Sequence, residues 1–285
     1  MVSKISVKTW ELFAVASVLL LILAPGAFAH GMEEEVPESD MHDEKDVGDF
    51  KAASVRYIFA AGIIAIALVL VAVFWKKKTE KAKILLFLGI ALPILLATIY
   101  SAGSTIYLNL ASHTKGPVHW HADYEIWDCN EKIELIRPEG ISNRVGSAVF
   151  HEHNDNRIHV EGVVIDKAEV DLHNFFATIG GMLSKSTLYL PTDDGFAEIK
   201  NGYLCSGKEG KIQAFLYKVK NPDDAKNWVY GQEKLEDFED YILSPYSNVP
   251  PGDCIIIEFD EEKEKTERIC ETYKSAMLRG ELSGG

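Results

Sequence analysis

The sequence predicts an α+β protein whose folded domain is exported and tied to a membrane. Three observations carry this expectation. A cationic, then apolar start is followed by two further apolar stretches joined by a lysine-rich loop. The region 112–285 mixes period-two strand patterns with amphipathic helical stripes, and no βαβ alternation runs through it. Five of the nine histidines fall within residues 119–161.

Residues 1–29 read as a signal peptide. Lys4 and Lys8 supply the positive charge, an apolar run extends from Leu12 to Ile22, and Ala27-Phe28-Ala29 fits the small-x-small pattern before cleavage. The same stretch is long enough to be an uncleaved membrane helix, and both readings place the following residues on the same side. Residues 30–56 form an acidic spacer, too rich in Asp and Glu and too poor in apolar groups to bury a core.

Residues 57–111 read as a transmembrane helical hairpin. Tyr57 to Trp75 contains no charge, and Ile84 to Leu108 is a second apolar stretch interrupted only by Pro93, with Gly89 and Gly103 placed for close packing. Lys76, Lys77, Lys78, Lys81 and Lys83 lie between them, and the positive-inside rule puts this loop in the cytoplasm. The domain at 112–285 is then extracytoplasmic. Neither stretch buries an ionisable group of the kind that marks a transport path, so the hairpin is read as an anchor in the lipid bilayer. Asn-x-Ser/Thr acceptors are absent from the sequence, which suits a prokaryotic envelope.

Within 112–285, His119 to Trp127 alternates, with Trp120, Ala122, Tyr124 and Ile126 on one face and His119, His121, Asp123 and Glu125 on the other. Residues 132–136, 148–153 and 157–164 read as further strands, the last two separated by the Asn154-Asp155-Asn156 turn. Val170 to Leu183 is expected to be helical, ending near Gly180-Gly181. Strands are expected at 187–190, 197–199, 211–220 and 254–259. Asn221 to Glu239 reads as charged and irregular with part helix, and 260–278 as a charged terminal helix. The sheet is expected to be mostly antiparallel or mixed.

The formal charge is −14, and from His113 onward 19 Lys and Arg stand against 32 Asp and Glu. Nucleic-acid binding is excluded as a class, because it needs a basic footprint to neutralise phosphates. The four cysteines all follow residue 113. In an oxidising compartment they make two disulfides, of which Cys254–Cys270 is plausible where a strand leads into a helix, leaving Cys129–Cys205; sequence permits three pairings. No paired-cysteine motif exists for thiol redox work.

The chemistry concentrates in His119-Trp120-His121, His151-Glu152-His153 and His159-Val160-Glu161. Residues i and i+2 of a strand point the same way. Neighbouring strands lie about 4.8 Å apart, so two such pairs can surround an ion bonded at about 2.0–2.1 Å. The expected metal ligands are His119, His121, His151 and His153, with His159 as alternate, and imidazoles suit zinc or copper. Asp123, Asp155 and Glu161 are placed to orient the ring nitrogens. The first reading is therefore a membrane-anchored protein that handles or senses copper or zinc. A metal-dependent hydrolase, with Glu161 or Asp123 as general base, is a second. A metal-free binding or scaffold module with a histidine network is a third; no sequence feature names a catalytic residue, substrate or protein partner.

These motifs resemble those of a family of prokaryotic membrane-anchored envelope proteins that has no established activity. Its pattern of H-x-H-A/P, H-x-H-D, I-H-V-E and a paired Phe before Gly is matched by His119-Trp120-His121-Ala122, His151-Glu152-His153-Asn154-Asp155, Ile158-His159-Val160-Glu161 and Phe175-Phe176. Asn154 is an insertion relative to that pattern. The resemblance implies the domain and its anchoring and brings no reaction with it.

Overall fold

The computed structural model of the chain describes residues 42–285, apart from Ser142 and Ala225. The expected signal peptide and the first part of the spacer lie outside the described residues. The chain is α+β: two long apolar helices, then a mixed nine-stranded sheet with a short C-terminal helix. It forms two compact units that divide after Leu108.

The first unit holds α1 (His42–Phe74) and α2 (Glu80–Ala111). Helix α1 begins inside the stretch read as a loose spacer. From Asp49 to Phe74 it runs 26 residues. At about 1.5 Å per residue that length exceeds the roughly 30 Å hydrocarbon core of a bilayer. The apolar side chains of both helices point outward, Phe59, Ile66, Val73, Leu85, Phe87 and Leu96 among them. The helices pair antiparallel: Tyr57 meets Tyr100 with ring centroids 4.7 Å apart, and Phe50 meets Tyr107 at 5.8 Å. Gly89 is the point of close approach, since a Cβ there would lie 2.8 Å from Leu68 Cδ1. Gly103, expected to serve the same purpose, has open space beside it. By length, composition and exposure these two helices suit a membrane anchor.

The second unit is built on β1 (Pro117–Asp128), β5 (Arg157–Val163), β11 (Lys211–Val219) and β13 (Cys254–Asp260). Further strands extend it: β2 (Glu131–Ile133), β3 (Val145–Gly146), β4 (Phe150–Glu152), β12 (Trp228–Leu235) and β14 (Leu282–Gly284). The sheet order is β14-β12-β11-β13-β1-β5-β4-β3, with β2 paired to β1. Pairs β1–β13 and β12–β14 are parallel, and the others antiparallel.

Both faces of the central strands are covered, which is why β13 reads as a continuous apolar run rather than an alternation. Ile255 and Ile257 join Ala122, Tyr124, Ile126, Ile158 and Val160 in the larger core, against Phe175 and Phe176 of α3 (Leu172–Thr178). Leu188 and Leu190, from a small meander of β6 (Met182–Leu183), β7 (Thr187–Thr192) and β8 (Gly195–Lys200), complete it. Cys254 and Ile256 face the other way, onto Phe215, Tyr217 and the terminal helix α4 (Glu271–Leu278). A hairpin of β9 (Leu204–Cys205) and β10 (Lys208–Glu209) lies apart from both sheets.

Disulfides join Cys254 to Cys270, tying β13 to the start of α4, and Cys129 to Cys205, tying the β1–β2 turn to β9. Both are consistent with an extracytoplasmic domain.

The strand expected at 132–136 is the shorter β2, and three larger elements of this unit also differ from the sequence reading. Asn221 to Glu239 contains β12, which pairs with six residues of β11; glycine and charge within WVYGQEKL hide its alternation. The terminal helix covers only 271–278. Residues 261–270 are held non-helical because Thr266 O accepts from Gln232 (2.7 Å) and from Tyr217 (3.1 Å), while Lys263 and Arg268 reach the buried Glu258. Helix α3 is likewise shorter than 170–183. Asp171 caps its start by accepting from Asn174 N at 2.7 Å, and Gly180, at φ +84, ends it in the left-handed conformation.

Candidate metal centre

The alternation in β1 sends Trp120, Ala122, Tyr124 and Ile126 to the core or its edge and leaves His119, His121 and Asp123 on the opposite face. Antiparallel pairing then sets the histidines in register. His121 lies opposite His159 of β5, and His159 lies opposite His151 of β4. Three imidazoles thus form one rung across three strands. Glu161 lies opposite His119 one level along, and Arg157 opposite Asp123 on the other side.

The nitrogens of His119, His121 and His159 fall within 4.8 Å of one another, and so do those of His151, His153 and His159. His159, expected from sequence only as an alternate, is the member common to both sets, because β5 runs between β1 and β4. Ring centroids are 4.7 Å apart for His121–His159, 4.8 Å for His153–His159 and 5.5 Å for His151–His159, the last pair stacked. His159 and His151 are buried, His121 and His153 half-buried, and His119 exposed at the rim.

Hydrogen bonds orient these rings. His121 Nδ1 contacts the carbonyl of Ser247, and His153 Nδ1 the carbonyl of Asn143. A carbonyl only accepts, so each Nδ1 carries the proton and each Nε2 keeps its lone pair. His159 Nε2 lies 3.3 Å from Asp155 Oδ2, and His119 Nε2 lies 3.0 Å from Glu161 Oε1. Three ring nitrogens, His121 Nε2, His151 Nδ1 and His159 Nδ1, are buried with no hydrogen-bond partner among the described residues. An unsatisfied buried polar atom costs about 1–3 kcal/mol, so three together need an explanation.

Electrostatics keep the rings receptive. Burial, and then the neighbouring His153 and His159, depress the His151 imidazole to about 4. Burial also lowers His121, with a partial opposing effect from the Ser247 carbonyl. Neutral imidazole is the form that binds a cation. Burial works to raise the Asp155 carboxyl, but the hydrogen bond and charge of His159 outweigh it and the net direction is down, so Asp155 stays ionised beside the ring.

The carboxylates divide by role. Asp155 sits in the β4–β5 turn, aimed by left-handed Asn154 (φ +63) and Asn156 (φ +56) and by the buried Glu152, which accepts its backbone N–H at 2.8 Å. The insertion at Asn154 therefore keeps Asp155 on the histidine face. Asp123 does not face the rings. It accepts from Arg157 Nε at 2.9 Å and from the Thr272 hydroxyl, joining β1 to β5 and α4. Burial raises its carboxyl against those two partners. Of the two carboxylates considered as a general base, only Glu161 is on the ring cluster.

Four contributors lie outside the ligands and carboxylates expected from sequence. Ser247 and Asn143 act through backbone carbonyls, and Glu152 through a turn. Gly252 packs so closely on β1 that a Cβ would lie 2.5 Å from His121 O. The nearby backbone is fixed by His121 N donating to Tyr246 O at 2.7 Å and Asp123 N to Asp253 O at 2.8 Å. Comparison with known protein families, with characterised proteins and with solved structures finds no match to this chain.

Proposed function

We propose that this is a membrane-anchored protein whose extracytoplasmic domain binds copper or zinc, for metal handling or sensing. One observation carries the reading: three buried imidazole nitrogens with no partner among the described residues lie within the two overlapping histidine sets. A purely structural histidine network would pair those nitrogens, as it pairs His119 with Glu161. The donor set is nitrogen-rich, which favours zinc or copper over calcium or magnesium. Tetrahedral bonding at about 2.0–2.1 Å brings nitrogens about 3.4 Å apart, so each set contracts slightly on binding.

The lysine-rich loop at 76–83 supports a topology with that loop in the cytoplasm and the histidine domain outside. The resemblance to membrane-anchored prokaryotic envelope proteins belongs to the same reading. The test is metal analysis of the full chain in detergent micelles after loading with zinc or copper and desalting. Retention of at least one ion per chain is expected, with loss in His159→Ala; a wild-type chain that emerges metal-free overturns the proposal.

A further inference from the structure

The five histidines do not form a single ligand set. They form two sets of three, His119–His121–His159 and His151–His153–His159, that meet only at His159. A set on β1 and a set on β4 approach the central strand β5 from opposite sides. Each side also has its own carboxylate: Glu161 is 3.0 Å from His119, and Asp155, two residues after His153, is 3.3 Å from His159. A lone ion bonded at about 2.1 Å spans about 4.2 Å between ligand atoms, and so can draw on one set or the other. An imidazole has two ring nitrogens and can serve both at once.

We infer that the centre holds two metal ions, one on His119 and His121 and one on His151 and His153, with His159 as a bridging imidazolate between them. This deepens the metal-binding reading above and rests on it. The proton balance is explicit. Neutral His159 carries one ring proton, shared with Asp155 at Nε2. When both nitrogens bind metal, that proton leaves to solvent, and one proton per chain is released in addition to any lost by the other ligands. Asp155 and Glu161 then stand as acceptors or additional ligands, one beside each ion. Three imidazole donors per ion, one shared, suit copper(II) or zinc.

The test is a titration of the full chain in detergent micelles with copper(II), followed by metal analysis and electron paramagnetic resonance. Two ions per chain are expected. The resonance signal should grow with the first equivalent and fall with the second, because an imidazolate bridge couples two copper(II) spins antiferromagnetically. His119→Ala and His153→Ala alter exposed or half-exposed side chains whose loss leaves the core intact. Each should reduce the stoichiometry to one and restore an uncoupled signal. One ion in the wild type overturns the two-ion centre while leaving metal binding in place, and no ion overturns both. Two ions with an undiminished signal overturn the bridge. A stoichiometry of two that survives in both variants shows that the ions sit elsewhere and overturns the assignment of ligands.

Discussion

His121 and His159 face each other directly across β1 and β5, their rings edge to face with centroids 4.7 Å apart. Thirty-eight residues separate them in sequence, and the antiparallel register alone brings them together. The same register places His151 on the far side of His159. The histidine cluster is thus a property of three adjacent strands, and its expected behaviour under mutation and pH follows from that geometry.

His159→Ala should abolish metal-induced stabilisation. A ligand present at about 100 times its dissociation constant stabilises the folded state by about 2.7 kcal/mol. Thermal unfolding of wild type should rise on zinc addition, and the variant should show no rise. An equal rise in both would remove His159 from the ligand set.

Acid should destabilise the metal-free domain through His151. Its folded-state value is depressed from 6.5 to about 4. The unfolded chain therefore binds the proton first, and stability is full above about pH 6.5 and falls progressively down to about pH 4. The loss attributable to this one group is about 2 kcal/mol after allowance for solvent screening. Urea unfolding at stepped pH should show a flatter profile for His151→Asn than for wild type over that window. Identical slopes would count against a depressed His151.

Gly252→Ala should damage the centre without touching a ligand. The new methyl would meet His121 O at 2.5 Å, and the turn at 250–253 must then move. Overpacking of this kind costs about 1–3 kcal/mol. Weaker metal binding together with a lower unfolding midpoint is expected, measured by competition with a chelator and by calorimetry. Unchanged affinity would show that the β1 backbone tolerates the shift.

The disulfides should be reduced in order. Cys254 and Cys270 are wholly buried beneath α4, whereas Cys129 is partly exposed on a turn. Access governs exchange with an external thiol. Stepwise reduction with alkylation and peptide mapping should label Cys129 and Cys205 first; earlier labelling at Cys254 would contradict this. Removing either crosslink should cost about 2–5 kcal/mol, in the range for loops of these lengths.

Asp123→Asn should loosen α4 from the sheet. The carboxylate joins Arg157 and Thr272, and the substitution leaves a half-buried guanidinium without its charge partner. A loss of about 1–3 kcal/mol is expected, with faster hydrogen exchange in 271–278. Protection in α4 equal to wild type would assign it to Tyr273 and the disulfide alone.

Much of this architecture is legible in the chain. Uninterrupted apolar runs must be helical in lipid, because every backbone group has to be satisfied within the segment, so α1 and α2 follow from composition. The period-two pattern of 119–127 separates Trp120 and Tyr124 from His119 and His121 before any partner strand is known. The four cysteines announce two disulfides but allow three pairings, and the structure selects Cys254–Cys270 and Cys129–Cys205. Less legible are segments whose conformation is set by distant partners: β12 needs β11 to hide its mixed face, and 261–270 stays extended because Glu258, Gln232 and Tyr217 bind it.

The sequence by itself determined the two apolar helices, the strand faces and the concentration of histidines on one of them, because these depend on local periodicity and hydrophobicity. Only the tertiary structure decided which histidines meet. Register is a relation between strands, and no local pattern states that β5 lies between β1 and β4. That placement turns His159 from an alternate into the residue common to both histidine sets, and brings the carbonyls of Ser247 and Asn143 against the rings.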